Sequence, residues 1–146
     1  MCKGGGTLGF DRASRTERWG VATDEELSAA VNEPGVVWLD VRNDKEVADK
    51  PLPPILPSVH CNCTMFSTKD LEARAPTLLP SKAAPMIIFC TAGGRADEAR
   101  KALRKLGYTG NLTNGGMYPD DMTAAVEQAV ALQKAKKKKK GGCIIS

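Results

Sequence analysis

Two stretches of the chain are apolar at every position, Val36-Val37-Trp38-Leu39 and Met86-Ile87-Ile88-Phe89, and such runs predict strands covered on both faces. Elsewhere the apolar positions recur at helical spacing. Thr23-Asp24-Glu25-Glu26 is a capping box, in which the threonine hydroxyl and the glutamate carboxylate satisfy backbone donors at a helix start. Leu27, Ala30 and Val31 give that helix one apolar face before Pro34-Gly35 ends it. Four prolines between Lys50 and Pro57 exclude helix interior and central strand there, so this stretch is expected to be a loop leading into a short strand over Ser58-Val59-His60-Cys61. Ser67, with Asp70 three residues on, predicts another helix start before Leu71, with Pro76 and Pro80 as its punctuation. Ala96, Ala99, Ala102, Leu103 and Leu106 predict a longer helix closed by Gly107. Asn111-Leu112-Thr113 is expected as a strand, Gly115-Gly116 as a turn, and Met122, Val126, Ala129 and Val130 as the face of a last helix. Strands alternating with helices define an α/β domain with a mainly parallel sheet and helices on both faces. Sites in such domains form beyond the carboxyl ends of strands.

The limits of the domain follow from composition. Residues 1–18 are rich in glycine and charge without periodicity and are expected to be a flexible arm, with order beginning near Trp19. The folded domain is then 19–133, and 134–146 is a polybasic tail. The chain's 146 residues suit one compact domain. Its apolar runs are far shorter than the roughly 18 to 20 residues that span a bilayer.

Charge changes the picture in one respect. The formal net charge is +4, yet Lys134 and Lys136 to Lys140 lie in the last thirteen residues, and taking these six from +4 leaves a body of −2. The basic character therefore belongs to the tail, which has no aromatic side chain to stack on bases, and a nucleic-acid partner is not expected. Five cysteines are spread over the whole chain with no secretory apolar segment at its start, which fits reduced thiols in a cytosolic setting better than a disulfide scaffold.

One of those cysteines carries the candidate chemistry. Cys90 stands at the end of the second apolar strand, Gly93-Gly94 follow, and a helix starts at once. A thiol placed there sees inward backbone N–H groups and the positive end of the helix dipole, and Arg95 adds a permanent cation; all three stabilise a thiolate. The alternative for Cys90 is a buried structural cysteine beside packing glycines.

The segment Cys90-Thr91-Ala92-Gly93-Gly94-Arg95-Ala96 resembles the active-site loop of single-domain rhodanese-like proteins, which reads cysteine, two variable residues, glycine, a variable residue, arginine, then alanine or serine. Further segments fit in order. Leu39-Asp40-Val41-Arg42, with Glu46 four residues on, looks like the family's aspartate-valine-arginine segment. Pro57 to Asn62 looks like a degenerate form of its next strand, and Gly107-Tyr108 to Gly115-Gly116-Met117 looks like its closing segment. The resemblance runs from about Trp19 to Met122 and implies a rhodanese-like fold. It implies that Cys90 takes a sulfane sulfur from a donor such as thiosulfate, becomes a persulfide, and passes the sulfur to a thiol or cyanide without a cofactor. It gives Thr91 to Arg95 the role of the loop that holds the terminal sulfur, and Asp40 and Arg42 that of a supporting ion pair near it.

The same residues bear on other readings. Cysteine-dependent phosphatases and arsenate reductases of related architecture place five residues between cysteine and arginine, whereas four stand here, and a tetrahedral oxyanion needs a wider ring of donors than one sulfur atom. A non-catalytic, membrane-anchored interaction module would have no need of Cys90. Thr91 and Ala92 are neutral where many thiosulfate-using members carry a cation directly after the cysteine, so attraction for that dianion is left to Arg95 and the backbone. His60-Cys61-Asn62-Cys63 is a partial metal-ligand cluster, but it contains the only histidine and has no second cysteine pair to complete four ligands, so no metal is expected. Cys61 or Cys63 is left as a buried strand cysteine or as a thiol that resolves the persulfide.

Cys143-Ile144-Ile145-Ser146 has the form of a prenylation signal, with serine favouring farnesyl, and it follows the Lys136 to Lys140 run and a Gly141-Gly142 spacer. One lipid anchors marginally, and a basic cluster supplies a second signal toward an anionic leaflet. The expectation is a protein tethered to the cytoplasmic face of a membrane, with a soluble cytosolic pool if unprocessed. Cys2 is a further candidate for acylation.

Overall fold

The computed structural model describes the backbone of residues 11–145 and the side chains of residues 11–136. Its elements, in chain order, are α1 (Arg12–Trp19), α2 (Asp24–Val31), β1 (Val37–Asp40), α3 (Asp44–Asp49), β2 (Ser58–His60), α4 (Lys69–Leu78), β3 (Met86–Cys90), α5 (Gly94–Lys105), β4 (Leu112–Met117), a 3-10 turn (Asp120–Met122) and α6 (Thr123–Ile145). The strands form one parallel sheet in the order β2-β1-β3-β4. The two central strands are the two fully apolar runs, as a sheet covered on both faces requires. On one face Leu39, Ile88 and Cys90 pack with α4 and α5 through Leu71, Ala75, Ala99 and Leu103. On the other, Trp38, Ile87 and Phe89 pack with α2 and α6 through Leu27, Ala30, Ala125 and Ala129. The expected α/β sandwich is therefore present, with the carboxyl ends of β1 and β3 side by side.

Local rules account for most boundaries. Thr23 Oγ1 accepts from the Glu26 N–H and the Glu26 carboxylate accepts from the Thr23 N–H, the reciprocal capping box that starts α2. Gly107, at φ +92°, closes α5 in the left-handed region that glycine enters without cost.

Several expectations are corrected. Residues 12–18 belong to α1 and not to a flexible arm: Asp11 caps the helix, and its Arg15 is buried against residues distant in sequence. The six-residue helix α3 went unrecognised because it buries no residue and so has no apolar period, although Asn43 and Glu46 form a capping box. Thr68, not Ser67, is the N-cap of α4, and it caps without a side-chain hydrogen bond. Pro76 lies inside α4, which continues to Leu78, so it does not end the helix. Gly115 and Gly116 continue β4 instead of turning, at a shift of register opposite Ile88 and Phe89. A Cβ on Gly116, which has φ +80°, would stand 2.5 Å from the Asp121 carboxylate and 2.6 Å from Val21. The glycine pair thus answers to close packing. Finally, α6 runs on to Ile145, so the lysine run extends the last helix; alanine and lysine are both good helix formers.

Candidate active site

β3 delivers Cys90 to the carboxyl edge of the sheet, and the chain needs only Thr91, Ala92 and Gly93 to turn into α5. Gly93 makes that turn at φ +120°, and a Cβ there would lie 2.6 Å from Val21 Cγ2, so no other residue fits. Its N–H donates to Cys90 Sγ at 3.0 Å, within the positive field of the α5 N-terminus. The cysteine residue is 1% exposed. Thr91, the next residue, lines a cleft of about 300 Å³ together with Arg42, Glu46, Lys50, Tyr118 and Asp120.

Arg95 sits on the first turn of α5 and folds back over the loop. Its guanidinium donates to both carboxylate oxygens of Glu46, at 2.8 and 2.9 Å, and to Thr91 Oγ1 at 2.6 Å. The bond from Arg95 draws the Glu46 carboxyl down to about 2, so the pair is ionised at any ordinary pH. The same bond raises the pKa of Arg95, and the neighbouring Cys90 sulfur contributes in that direction. Arg95 therefore orders the loop and balances charge; as a permanently protonated group it supplies no proton.

Asp40 and Arg42 are a buried pair, at 4% and 1% exposure, and not a solvated strand-end pair. Arg42 Nε and Nη2 reach the two Asp40 oxygens at 2.9 and 2.8 Å. Arg42 Nη1 donates to the Glu46 carbonyl at 3.2 Å, and its guanidinium lies 4.8 Å from the Tyr118 ring centre. One connected set of contacts thus runs from Asp40 through Arg42, Glu46 and Arg95 to Thr91. The structure brings together Cys90, the loop Thr91 to Arg95, and Asp40 with Arg42. The role of Glu46 was not recognised, although its spacing from Asn43 is that of a capping box on a helix facing the loop.

Three more residues that hold the loop escaped sequence reasoning. Asn114, wholly buried on β4, donates from Nδ2 to the carbonyls of Gly93 at 2.9 Å and Trp19 at 3.0 Å. Arg15 donates to the Ala92 carbonyl at 3.2 Å and forms a buried ion pair with Asp121. Asp121 in turn accepts from the Met117 N–H at 2.9 Å. Asn114 sits in a strand whose period gives no sign of a polar partner, and Arg15 and Asp121 are separated by 106 residues.

The other cysteines take different places. Cys61, Cys63 and Cys90 are all free and buried. Burial pushes the Cys61 thiol up, with Asp70 adding to it, and pushes the Cys63 thiol up to about 12, so both remain protonated at neutral pH. The Cys61 N–H bonds to the Asp40 carbonyl and the Val41 N–H to the Phe89 carbonyl, which puts the β1 chain between Cys61 and Cys90. Two strand spacings, roughly 9 to 10 Å between Cα atoms, exceed the reach of a disulfide. Cys2 lies outside the described residues, as does the side chain of Cys143.

Residues 23–119 match the family model of the Rhodanese-like domain. No curated protein matches the chain. Among solved structures, a rhodanese with anions from E. coli is 24% identical, with a TM-score of 0.48, over 58% of this chain and 89% of that one. The solution structure of a 30 kDa polysulfide-sulfur transferase homodimer from Wolinella succinogenes is 17% identical, with a TM-score of 0.52, over 84% of this chain and 85% of that one. This second likeness is one of fold.

Proposed function

The chain belongs to the rhodanese-like domain family, and from that premise we propose that it is a sulfurtransferase working through a persulfide on Cys90. The observation that carries the reading is the Gly93 N–H held 3.0 Å from Cys90 Sγ, in a loop whose Thr91 hydroxyl and Ala92 and Gly93 carbonyls are tied down. Cys90, as thiolate, attacks the outer sulfur of a donor such as thiosulfate. The donor's S–S bond breaks, sulfite leaves with the bonding pair, and Cys90 carries a persulfide anion. An acceptor thiolate or cyanide then attacks the terminal sulfur, forming an acceptor persulfide or thiocyanate and returning the electron pair to Cys90 Sγ. Preorganised N–H donors stabilise the small anion at each stage, as in an oxyanion hole. Glu46 compensates the charge of Arg95, so a dianionic donor is drawn by loop amides more than by net charge.

Intact mass spectrometry after incubation with thiosulfate tests this reading. The expected result is a gain of one sulfur atom that cyanide reverses, and its loss in Cys90→Ser, because the hydroxyl cannot form the persulfide at neutral pH. Sulfur transfer surviving in Cys90→Ser overturns the mechanism. Hydrolysis of an aryl phosphate faster than desulfuration of thiosulfate overturns the class in favour of a phosphatase.

The reading includes a tether. Cys143 is the acceptor for a prenyl group when Ile144, Ile145 and Ser146 are the last three residues, and Lys136 to Lys140 add electrostatic attraction to an anionic cytoplasmic leaflet. Fractionation of eukaryotic cells provides the check. Cys143→Ser protein is expected in the cytosolic fraction with its sulfur transfer intact, since a polybasic segment alone is released by salt. Membrane retention of that variant through a salt wash removes the tether from the proposal.

A further inference from the structure

The loop's amides are aimed by groups outside the family's motif. A trans peptide is planar, with its carbonyl and N–H pointing in opposite directions, so a contact that fixes one end fixes the other. The Ala92 carbonyl and the Gly93 N–H belong to one peptide unit: Arg15 Nη1 holds the oxygen at 3.2 Å, and the N–H points to Cys90 Sγ at 3.0 Å. The next unit is held in the same manner, because Asn114 Nδ2 and the Asp97 N–H both donate to the Gly93 carbonyl, leaving the Gly94 N–H turned back toward the loop. Arg15 is itself fixed. It is 4% exposed and paired with Asp121, which is 7% exposed and also anchors the Met117 N–H. Both residues lie outside the matched segment 23–119, one on each side of it.

We infer that Arg15 is a positioning residue for the sulfur site, a cationic clamp on the Ala92 carbonyl that aims and polarises the Gly93 N–H at Cys90 Sγ, with Asp121 as its buried counter-charge. A charged donor on the carbonyl draws electron density through the amide and makes its N–H a stronger donor. The helix α1 therefore completes the site. The consequence for sulfur transfer rests on the reading of Cys90 as the persulfide carrier, but the clamp's effect on the free thiol does not.

The test uses full-length Arg15→Met/Asp121→Asn, which removes both buried charges together and so leaves neither unpaired, while the amide oxygen introduced by Asp121→Asn still accepts from the Met117 N–H. The readout is the rate of Cys90 alkylation by iodoacetamide as a function of pH, alongside kcat and KM for thiosulfate-to-cyanide transfer. The expected result is an alkylation profile displaced to higher pH and a kcat lower by about tenfold, the effect of one well-placed hydrogen bond, with KM for cyanide unchanged. Arg12→Met serves as the control, because Arg12 stands on the same helix and reaches Asp24 and the Ala22 carbonyl but no loop carbonyl; it is expected to keep the wild-type profile. Should the double variant fail to fold, Arg15→Gln/Asp121→Asn replaces it: two amides can pair in place of the charges, the cation on the Ala92 carbonyl is gone, and the profile moves in the same direction. A wild-type profile in either folded double variant overturns the clamp. A displaced profile in a protein whose wild type transfers no sulfur upholds the clamp and rejects the sulfurtransferase reading instead.

Discussion

Two arginines brace the Cys90 loop, and water reaches them differently. The side chains of Arg15 and Asp121 are 5% and 6% exposed, whereas those of Arg95 and Glu46 are 17% and 26% exposed. Arg15 grips backbone, at the Ala92 carbonyl, while Arg95 grips a side chain, Thr91 Oγ1. The buried pair cannot exchange its partner for solvent, so it has one arrangement and sets the shape of the loop. The outer pair is partly screened, so it contributes less to folding and acts mainly on charge at the mouth of the cleft. Reach in sequence follows the same division: Glu46 and Arg95 both stand within the matched family segment, and Arg15 and Asp121 stand outside it.

The largest expected effect comes from breaking the buried pair on one side only. Asp121→Ala takes the carboxylate away from the buried Arg15 guanidinium and leaves the Met117 N–H without its acceptor, which should cost about 3 to 5 kcal/mol. For a chain of this length that lowers the melting temperature by on the order of 10 °C. Glu46→Ala removes a half-screened ion pair together with one of the two bonds of the capping box of a six-residue helix, and about 1 to 2 kcal/mol is expected. Thermal unfolding of the two variants in one buffer, followed by circular dichroism, measures the contrast. Equal losses would mean that burial does not distinguish the two braces.

The sequence was informative wherever a local pattern carried the signal. β1 and β3 announced themselves as unbroken apolar runs, α2 by its capping box, and the catalytic candidate by a cysteine, a glycine pair and an arginine in order. The loop and the Asp40 and Arg42 pair were legible because each is set by contiguous residues. What was hidden depends on partners that only folding brings close. Arg15 reads as one charge among several in a polar, glycine-flanked stretch, and nothing in its neighbourhood points to Asp121. Gly115-Gly116 has the look of a turn, yet the space between Val21, Ile87, Met122 and Asp121 is what demands glycine there. Helix α3 is too short for a hydrophobic period, and only its capping residues could have revealed it.

A smaller and more selective change sharpens the comparison from the outer side. Glu46→Gln keeps an amide oxygen to accept the Asn43 N–H, so the cap of α3 survives, and it removes the charge that compensates Arg95. The guanidinium then presents a net positive charge beside Thr91, and KM for the thiosulfate dianion is expected to fall by about two- to fivefold, a partly screened charge contributing under 1 kcal/mol. KM for an uncharged organic trisulfide should not move. The stability difference between wild type and variant has a defined pH course. The Glu46 carboxyl is lowered by folding from its ordinary 4.5 to about 2, so the stabilisation it brings is fully present above pH 4.5 and is lost as the pH falls toward 2. Wild type should therefore exceed Glu46→Gln by a constant margin in urea titrations from pH 7 down to about pH 5, and the margin should close below that. A margin that persists unchanged to pH 2.5, or a KM for thiosulfate that rises in the variant, would show that Glu46 holds the loop by shape alone, and the division of labour between the two braces would then fail at its outer member.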